Sequence, residues 1–152
     1  MSPKLAKQID VELEELHHLL ATHQPLVERC RMAPPDAIEC SALAAMLHSF
    51  YNGVENIFKR IVVETGGSLP AGEDWHRQLL DSMTVPSPTR GALLSADLHG
   101  RLLGYLGFRH VFRHAYTFRL RWDKMTGLVL FCADVLQALE AAVGDFLRQN
   151  SA

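Results

Sequence analysis

The chain has 152 residues, 48% hydrophobic and 21% charged, with a formal net charge of −2, which fits one domain with a real core and the composition of an ordinary soluble globular protein. That balance excludes a protein that coats nucleic acid non-specifically. The charge is unevenly spread, however. Residues 1–100 carry eight Lys/Arg against thirteen Asp/Glu, whereas residues 101–124 carry Arg101, Arg109, Arg113, Arg119, Arg121 and Lys124 against Asp123 alone.

In chain order, residues 3–22 read as an amphipathic helix, with Ile9, Leu13, Leu16, Leu19 and Leu20 at three- and four-residue spacing. Pro25 predicts a break near residues 22–24 and a short second helix to about Met32. Pro34-Pro35-Asp36 is a stop and restart. The longest helical pattern then runs from Asp36 to Thr65, with Ile38, Ala42, Ala45, Met46, Phe50, Val54, Ile57, Phe58 and Ile61 as its apolar stripe, and is the expected central core helix. Gly66-Gly67 ends it, and residues 68–72 form a loop. A shorter helix begins at Glu73-Asp74-Trp75-His76 and turns Leu79, Leu80 and Met83 inward; residues 85–91 form a second loop. The next helix runs from about Leu93 to the end of a Phe-Arg-His repeat. Residues 120–123 connect it to a last helix over about 124–149, with Leu128, Phe131, Val135, Leu139, Val143 and Phe146 on one face. No stretch alternates at period two. The expectation is an all-α antiparallel bundle of five to six helices.

Cys30, Cys40 and Cys132 are odd in number and lack CxxC spacing, which reads as reduced thiols packed like small apolar residues in a cytoplasmic protein. The opening Met1-Ser2-Pro3-Lys4 leads into a charged amphipathic segment rather than a signal sequence. No apolar run reaches the length of a membrane span, and Asp134 interrupts the nearest candidate at 128–139.

The repeat is Phe108-Arg109-His110, Val111, then Phe112-Arg113-His114. At about 100° per residue, a four-residue step brings like residues nearly above one another. Phe108, Phe112 and Val111 are then expected to face the core, with the arginines and histidines turned away from it. A fixed cation beside a proton carrier that works near neutral pH is what handling a phosphate requires, and the repeat lies in the one strongly basic region. Gly100, Gly104 and Gly107 precede it within about 60° of one another on the helical wheel. Each costs about 0.8–1 kcal/mol relative to alanine, so the three predict close approach of another backbone, from the central helix or from a second copy of the chain.

Metal chemistry is weighed and set aside. Glu15-x-x-His18, overlapping Glu14-x-x-His17, and Glu73-x-x-His76 match the ExxH unit of di-iron bundles. The two further glutamates such a site needs find no pair of matching depth among Glu39, Glu55 and Glu64, and neither cysteines nor histidines have zinc spacing. Gly66-Gly67 lacks the GK[ST] of a phosphate loop. Trp75 and Trp122 read as core anchors rather than base-stacking platforms.

Arg109-x4-His114-x-Tyr116 resembles the R-x4-H-x-Y motif of HepT-like toxins in the HEPN superfamily. The segments 50–60 and 72–76 resemble a HepT-like branch as well, and together the resemblance spans roughly Ala42 to Phe146 of a single domain over 1–152, with residues 1–33 outside the recognised motifs. The resemblance implies a HEPN-like helical bundle acting as a metal-independent endoribonuclease, without a cofactor, in which two chains pair so that both motifs line one cleft. Carried over, Arg109 holds the scissile phosphate, His114 is the general acid or base, and His110 and Arg113 support them, with Arg113, Arg119 and Arg121 as RNA-binding cations. RNA supplies its own nucleophile in the 2′-hydroxyl. The implied partner is a minimal nucleotidyltransferase antitoxin that attaches AMP to Tyr116, whose added phosphate would compete with RNA for Arg109 and Arg113.

HepT-like chains often carry asparagine after the motif arginine, where this one has His110, so the proton could move through either imidazole. Arg109 and His114 also stand about 140° apart on an unbroken helix. Either the helix loosens near Ala115, or Arg109 of one chain works with His114 of the other. The rival expectation is a non-catalytic helical module that binds a nucleotidyltransferase partner or a nucleotide through its basic face.

Overall fold

A computed structural model describes residues 3–114 and 119–150, with His114 by its backbone alone. Among the described residues six helices follow one another: α1 (Pro3–Cys30), α2 (Ala37–Glu64), α3 (Trp75–Ser82), α4 (Ala96–His114), α5 (Trp122–Leu130) and α6 (Cys132–Gln149). Among the described residues no strand forms, and the 85–91 loop holds one isolated bridge between Ser87 and Arg90. The molecule is the all-α bundle expected.

The central helix is α2, which packs against α1, α3, α4 and α5. Its start is fixed by a capping box: Asp36 Oδ1 accepts from the Glu39 amide at 2.8 Å, and Glu39 Oε1 accepts from the Asp36 amide at 3.1 Å. Arg29 pairs with Glu39 and so ties the end of α1 to that cap. At the other end Thr65 Oγ1 donates to the Ile61 carbonyl at 2.6 Å, and Gly66 takes φ 79°, a left-handed conformation that ends the helix cheaply only as glycine. Phe50, Tyr51, Ile57, Phe58 and Ile61 are wholly buried along it. The expected stripe is too narrow on one side and too long on the other. Leu43, Ala44, Leu47 and Val62 are also buried because helices cover α2 on several sides, while Ile38, in its first turn, is 83% exposed, and Ala45 is exposed too.

The predicted break near residues 22–24 does not occur, because α1 runs through Pro25. Proline removes one amide donor, and in the turn before it Thr22 Oγ1 donates to His18 O and His23 Nδ1 bonds Leu19 O, each at 2.9 Å. Leu19 and Leu20 before Pro25, and Leu26 and Val27 after it, all pack on the core, so tertiary contacts hold the helix together across the defect. Ion pairs Lys4–Glu64 (3.5 Å) and Arg60–Glu12 (3.6 Å) run in opposite chain order and mark α1 and α2 as antiparallel. Between them Gly53 faces Leu16 so closely that a Cβ there would lie 2.6 Å from Leu16 Cδ2. Here a mid-helix glycine brings two helices together.

Within one chain the glycines of α4 seat no other backbone. A Cβ at Gly104 would stand 3.0 Å from Leu128 Cδ2, whereas at Gly100 and Gly107, both exposed, it would meet nothing within 4 Å among the described residues. The close approach is thus one side-chain contact with α5, not a backbone seam against α2. The expected last helix is two, α5 and α6, bent by 43° at Phe131, which is 56% exposed rather than inward. The break is set from outside the helix. The Tyr105 hydroxyl donates to the Leu128 carbonyl at 2.7 Å, and Arg31 Nη2 donates to the Leu130 carbonyl at 3.1 Å, so side chains from α4 and from beyond α1 enter the ladder. Among the described residues no single helix is long and apolar enough to cross a membrane.

Candidate active site

The side chain of Arg109 does not point away from the bundle. Its Nε donates to Asn52 Oδ1 at 3.2 Å and its Nη1 to His76 Nε2 at 3.3 Å, so the half-buried guanidinium lies between α2 and α3. A guanidinium can only donate. His76 Nε2 must therefore accept, which places the ring proton on Nδ1, and Nδ1 is 2.6 Å from Glu55 Oε2. Glu55, 3% exposed, is the one buried charged residue among those described. The order is Glu55, His76, Arg109, Asn52, with each donor facing an acceptor. Asn52 extends the chain, since its Nδ2 faces His48 Nδ1 at 3.5 Å.

Local sequence explains this convergence. His48, Asn52 and Glu55 are spaced four and three apart, so they share one face of α2. The α3 helix brings in His76 and is fastened to α4 by Asp81, which accepts from His99 at 2.7 Å and from Arg77 at 3.1 Å. The His76 ring is stacked on Trp75, with centroids 3.6 Å apart, and Lys59 Nζ lies 4.6 Å from the Trp75 ring centre. On α4, Phe108 is buried and stacks on Phe112 at 6.0 Å, and Phe112 meets the His48 ring at 5.3 Å.

Burial, then the charges of Arg109 and Arg113, push His48 below the ordinary imidazole value, and Glu55 only partly opposes them. The neutral form of His48 is therefore favoured beside two arginines. The wholly buried Tyr51 is pushed up, by burial first and by Glu55 second, so its hydroxyl keeps its proton.

The repeat is divided differently from the expectation. Phe108 is inward and Phe112 partly so, but Val111 is 55% exposed. Arg109 turns inward because α2 offers it a polar face, which an apolar period does not register. His110 and Arg113 are exposed, as are Arg119 and Arg121. Arg121 is engaged by Asp123 through two hydrogen bonds of 3.2 and 2.9 Å. Tyr116 and the side chain of His114 lie outside the described residues, and so does the loosening considered near Ala115.

The ExxH units also resolve. His76 commits both ring nitrogens to Glu55 and Arg109, while Glu73 is exposed. His17 bonds Glu140 of α6 at 2.5 Å. Among the described residues no three His, Cys, Asp or Glu side chains gather in a way that could hold a metal ion.

A family model described as "HepT-like protein" matches residues 42–150. The chain belongs to the HepT-like family. Its HepT-like part begins within α2 and takes in α3 to α6, hence every side chain of the Arg109 network, and leaves α1 outside. No curated protein and no solved structure matches the chain. As a HepT-like protein of the HEPN superfamily it is of toxin–antitoxin type. Sequence reasoning passed over His48 and gave Asn52 and Glu55 no role beside Arg109. The signal available for them was polar residues at helical spacing in an otherwise apolar helix.

Proposed function

We propose that this HepT-like protein is a metal-independent endoribonuclease that cuts RNA with Arg109 and His114. One observation carries the reading: the motif arginine is held as a fixed cation by Asn52 and His76, from the other two family-like segments, rather than left to wave in solvent. A preorganised cation is worth more to a developing phosphorane charge than a mobile one, because nothing has to reorganise during the reaction. Two of the five N–H groups of Arg109 are spent on this brace, and among the described residues Nη2 has no hydrogen-bond partner.

In the reaction the ribose 2′-hydroxyl attacks the adjacent phosphorus, the 2′-oxygen–phosphorus bond forms and the phosphorus–5′-oxygen bond breaks. A 2′,3′-cyclic phosphate and a 5′-hydroxyl result. Arg109 grips the non-bridging oxygens, His114 takes or gives the proton, and His110, Arg113, Arg119 and Arg121 offer a basic approach. Two chains pair across α4, where a Cβ at exposed Gly100 or Gly107 would meet nothing within 4 Å among the described residues, and so bring Arg109 of one copy toward His114 of the other. A nucleotidyltransferase partner silences the site by attaching AMP to Tyr116.

The test is RNA cleavage by purified protein with chelator present. Cleavage by wild type that is lost in Arg109→Ala and in His114→Ala is the expected result. No cleavage of any RNA by unmodified, partner-free protein overturns the enzyme reading and leaves the non-catalytic docking module.

A further inference from the structure

Arg109 is anchored to two helices, α2 and α3, neither of which is its own. Its Cα belongs to α4, while the atom that receives its Nη1 belongs to α3. An arginine side chain has about 2 kcal/mol of rotamer entropy to lose, so something must choose one direction for it. Asn52 alone fixes only Nε, about which the guanidinium end could still swing. The second contact, at Nη1, sets the plane.

His76 can make that contact only in one form. With its proton on Nδ1, Nε2 presents a lone pair to the guanidinium; with the proton on Nε2, donor would face donor. Glu55 decides between them, since a buried carboxylate 2.6 Å from Nδ1 can only accept. The imidazole is confined further by Trp75 stacked at 3.6 Å. Glu55 faces a ring nitrogen of His76, and that ring faces the motif arginine.

We infer that Glu55 and His76 form a positioning dyad that fixes the tautomer of one imidazole in order to aim the Arg109 guanidinium. Neither residue touches RNA. The kinetic half of this inference rests on the ribonuclease reading above, but the structural half does not.

Two measurements test it. The first needs no activity. Nitrogen-15 NMR of the folded protein is expected to show His76 protonated on Nδ1 and bare on Nε2, and Arg109 with slowed guanidinium rotation that becomes fast in His76→Ala. A His76 protonated on Nε2, or an Arg109 signal indifferent to His76→Ala in a variant that melts cooperatively, overturns the dyad.

The second is single-turnover RNA cleavage. A misplaced catalytic group costs about 100-fold, so His76→Ala is expected to lose about that much in the cleavage rate with little change in the RNA concentration at half-saturation. His76→Gln, whose amide oxygen reaches about as far as Nε2, should recover at least roughly tenfold of the loss. In the Arg109→Ala background His76→Ala should cost nothing more, because groups acting as one unit are not additive. A full multiplicative loss in the double variant, or wild-type rates in His76→Ala, overturns the dyad. Wild-type protein that cuts no RNA defeats the ribonuclease reading instead, and the NMR result then decides the dyad alone.

Discussion

Asn52 stands between Arg109 and His48, accepting from the arginine Nε at 3.2 Å and presenting its amide nitrogen to the imidazole at 3.5 Å. One amide thus serves as acceptor for a cation and donor to a ring, which neither aspartate nor leucine could do. Asn52→Ala leaves the Arg109 guanidinium tied only at Nη1. RNA cleavage is expected to fall about tenfold, equivalent to about 1.4 kcal/mol of transition-state stabilisation, with the fold intact by circular dichroism.

The depressed pKa of His48 predicts how stability varies with pH. Burial, Arg109 and Arg113 hold the folded-state value below 6.5, and Glu55 opposes them. In the window between the folded value and 6.5 the unfolded chain binds more protons than the folded one, so this group's contribution to stability rises with pH and is complete above 6.5. Urea midpoints of wild type should therefore drop on going from pH 7.5 towards pH 5.5. The drop should be smaller in His48→Gln, and an equal drop in the two proteins would remove His48 from the account.

All three thiols are buried. Burial raises Cys30 and Cys40 and pushes Cys132 up to about 12. Since the thiolate is the reactive form, native protein at pH 8 should resist iodoacetamide at Cys132 for hours. Unfolding in urea should make all three positions react at once, as peptide mass mapping would show.

The capping box at the head of α2 has a stability consequence. Asp36→Ala frees the Glu39 amide and is expected to cost about 1 kcal/mol, or a melting temperature lower by about 2–4 °C in a chain of this size. The loss should appear in thermal denaturation without any change in the chemistry at Arg109.

Modification at Tyr116 is tested by intact mass. Incubation with ATP and a nucleotidyltransferase partner should add one adenylyl group, and Tyr116→Phe should abolish the gain. A gain that survives the substitution would put the AMP elsewhere.

The parts of this fold legible in the sequence were those set locally. Pro34-Pro35-Asp36, Gly66-Gly67 and the 85–91 loop ended or restarted helices where expected, because turn residues and caps act within a few positions. The misreadings came from contacts made at a distance. Pro25 is carried through by core packing on both sides of it, and the helix expected over 124–149 is split where Tyr105, twenty-three residues before Leu128, takes a carbonyl. At the site, the motif arginine and its basic surroundings were visible. Its inward direction was not, since that depends on His48, Asn52 and Glu55 of α2 and on His76 of α3 lying opposite it in space.

The fit of Leu16 against Gly53 bears on which piece of this chain could be handled alone. The family match begins at residue 42, and a fragment trimmed to it would lose α1 together with the Asp36 cap. Leu5, Ile9, Leu13 and Leu16 are buried members of the common core, so their removal would strip a whole wall from α2 and leave its Gly53 face, which packs on Leu16, looking into water. The recognisable portion of this toxin-type protein is thus smaller than its folding unit, and α1 is a structural wall of the bundle that the family match does not see.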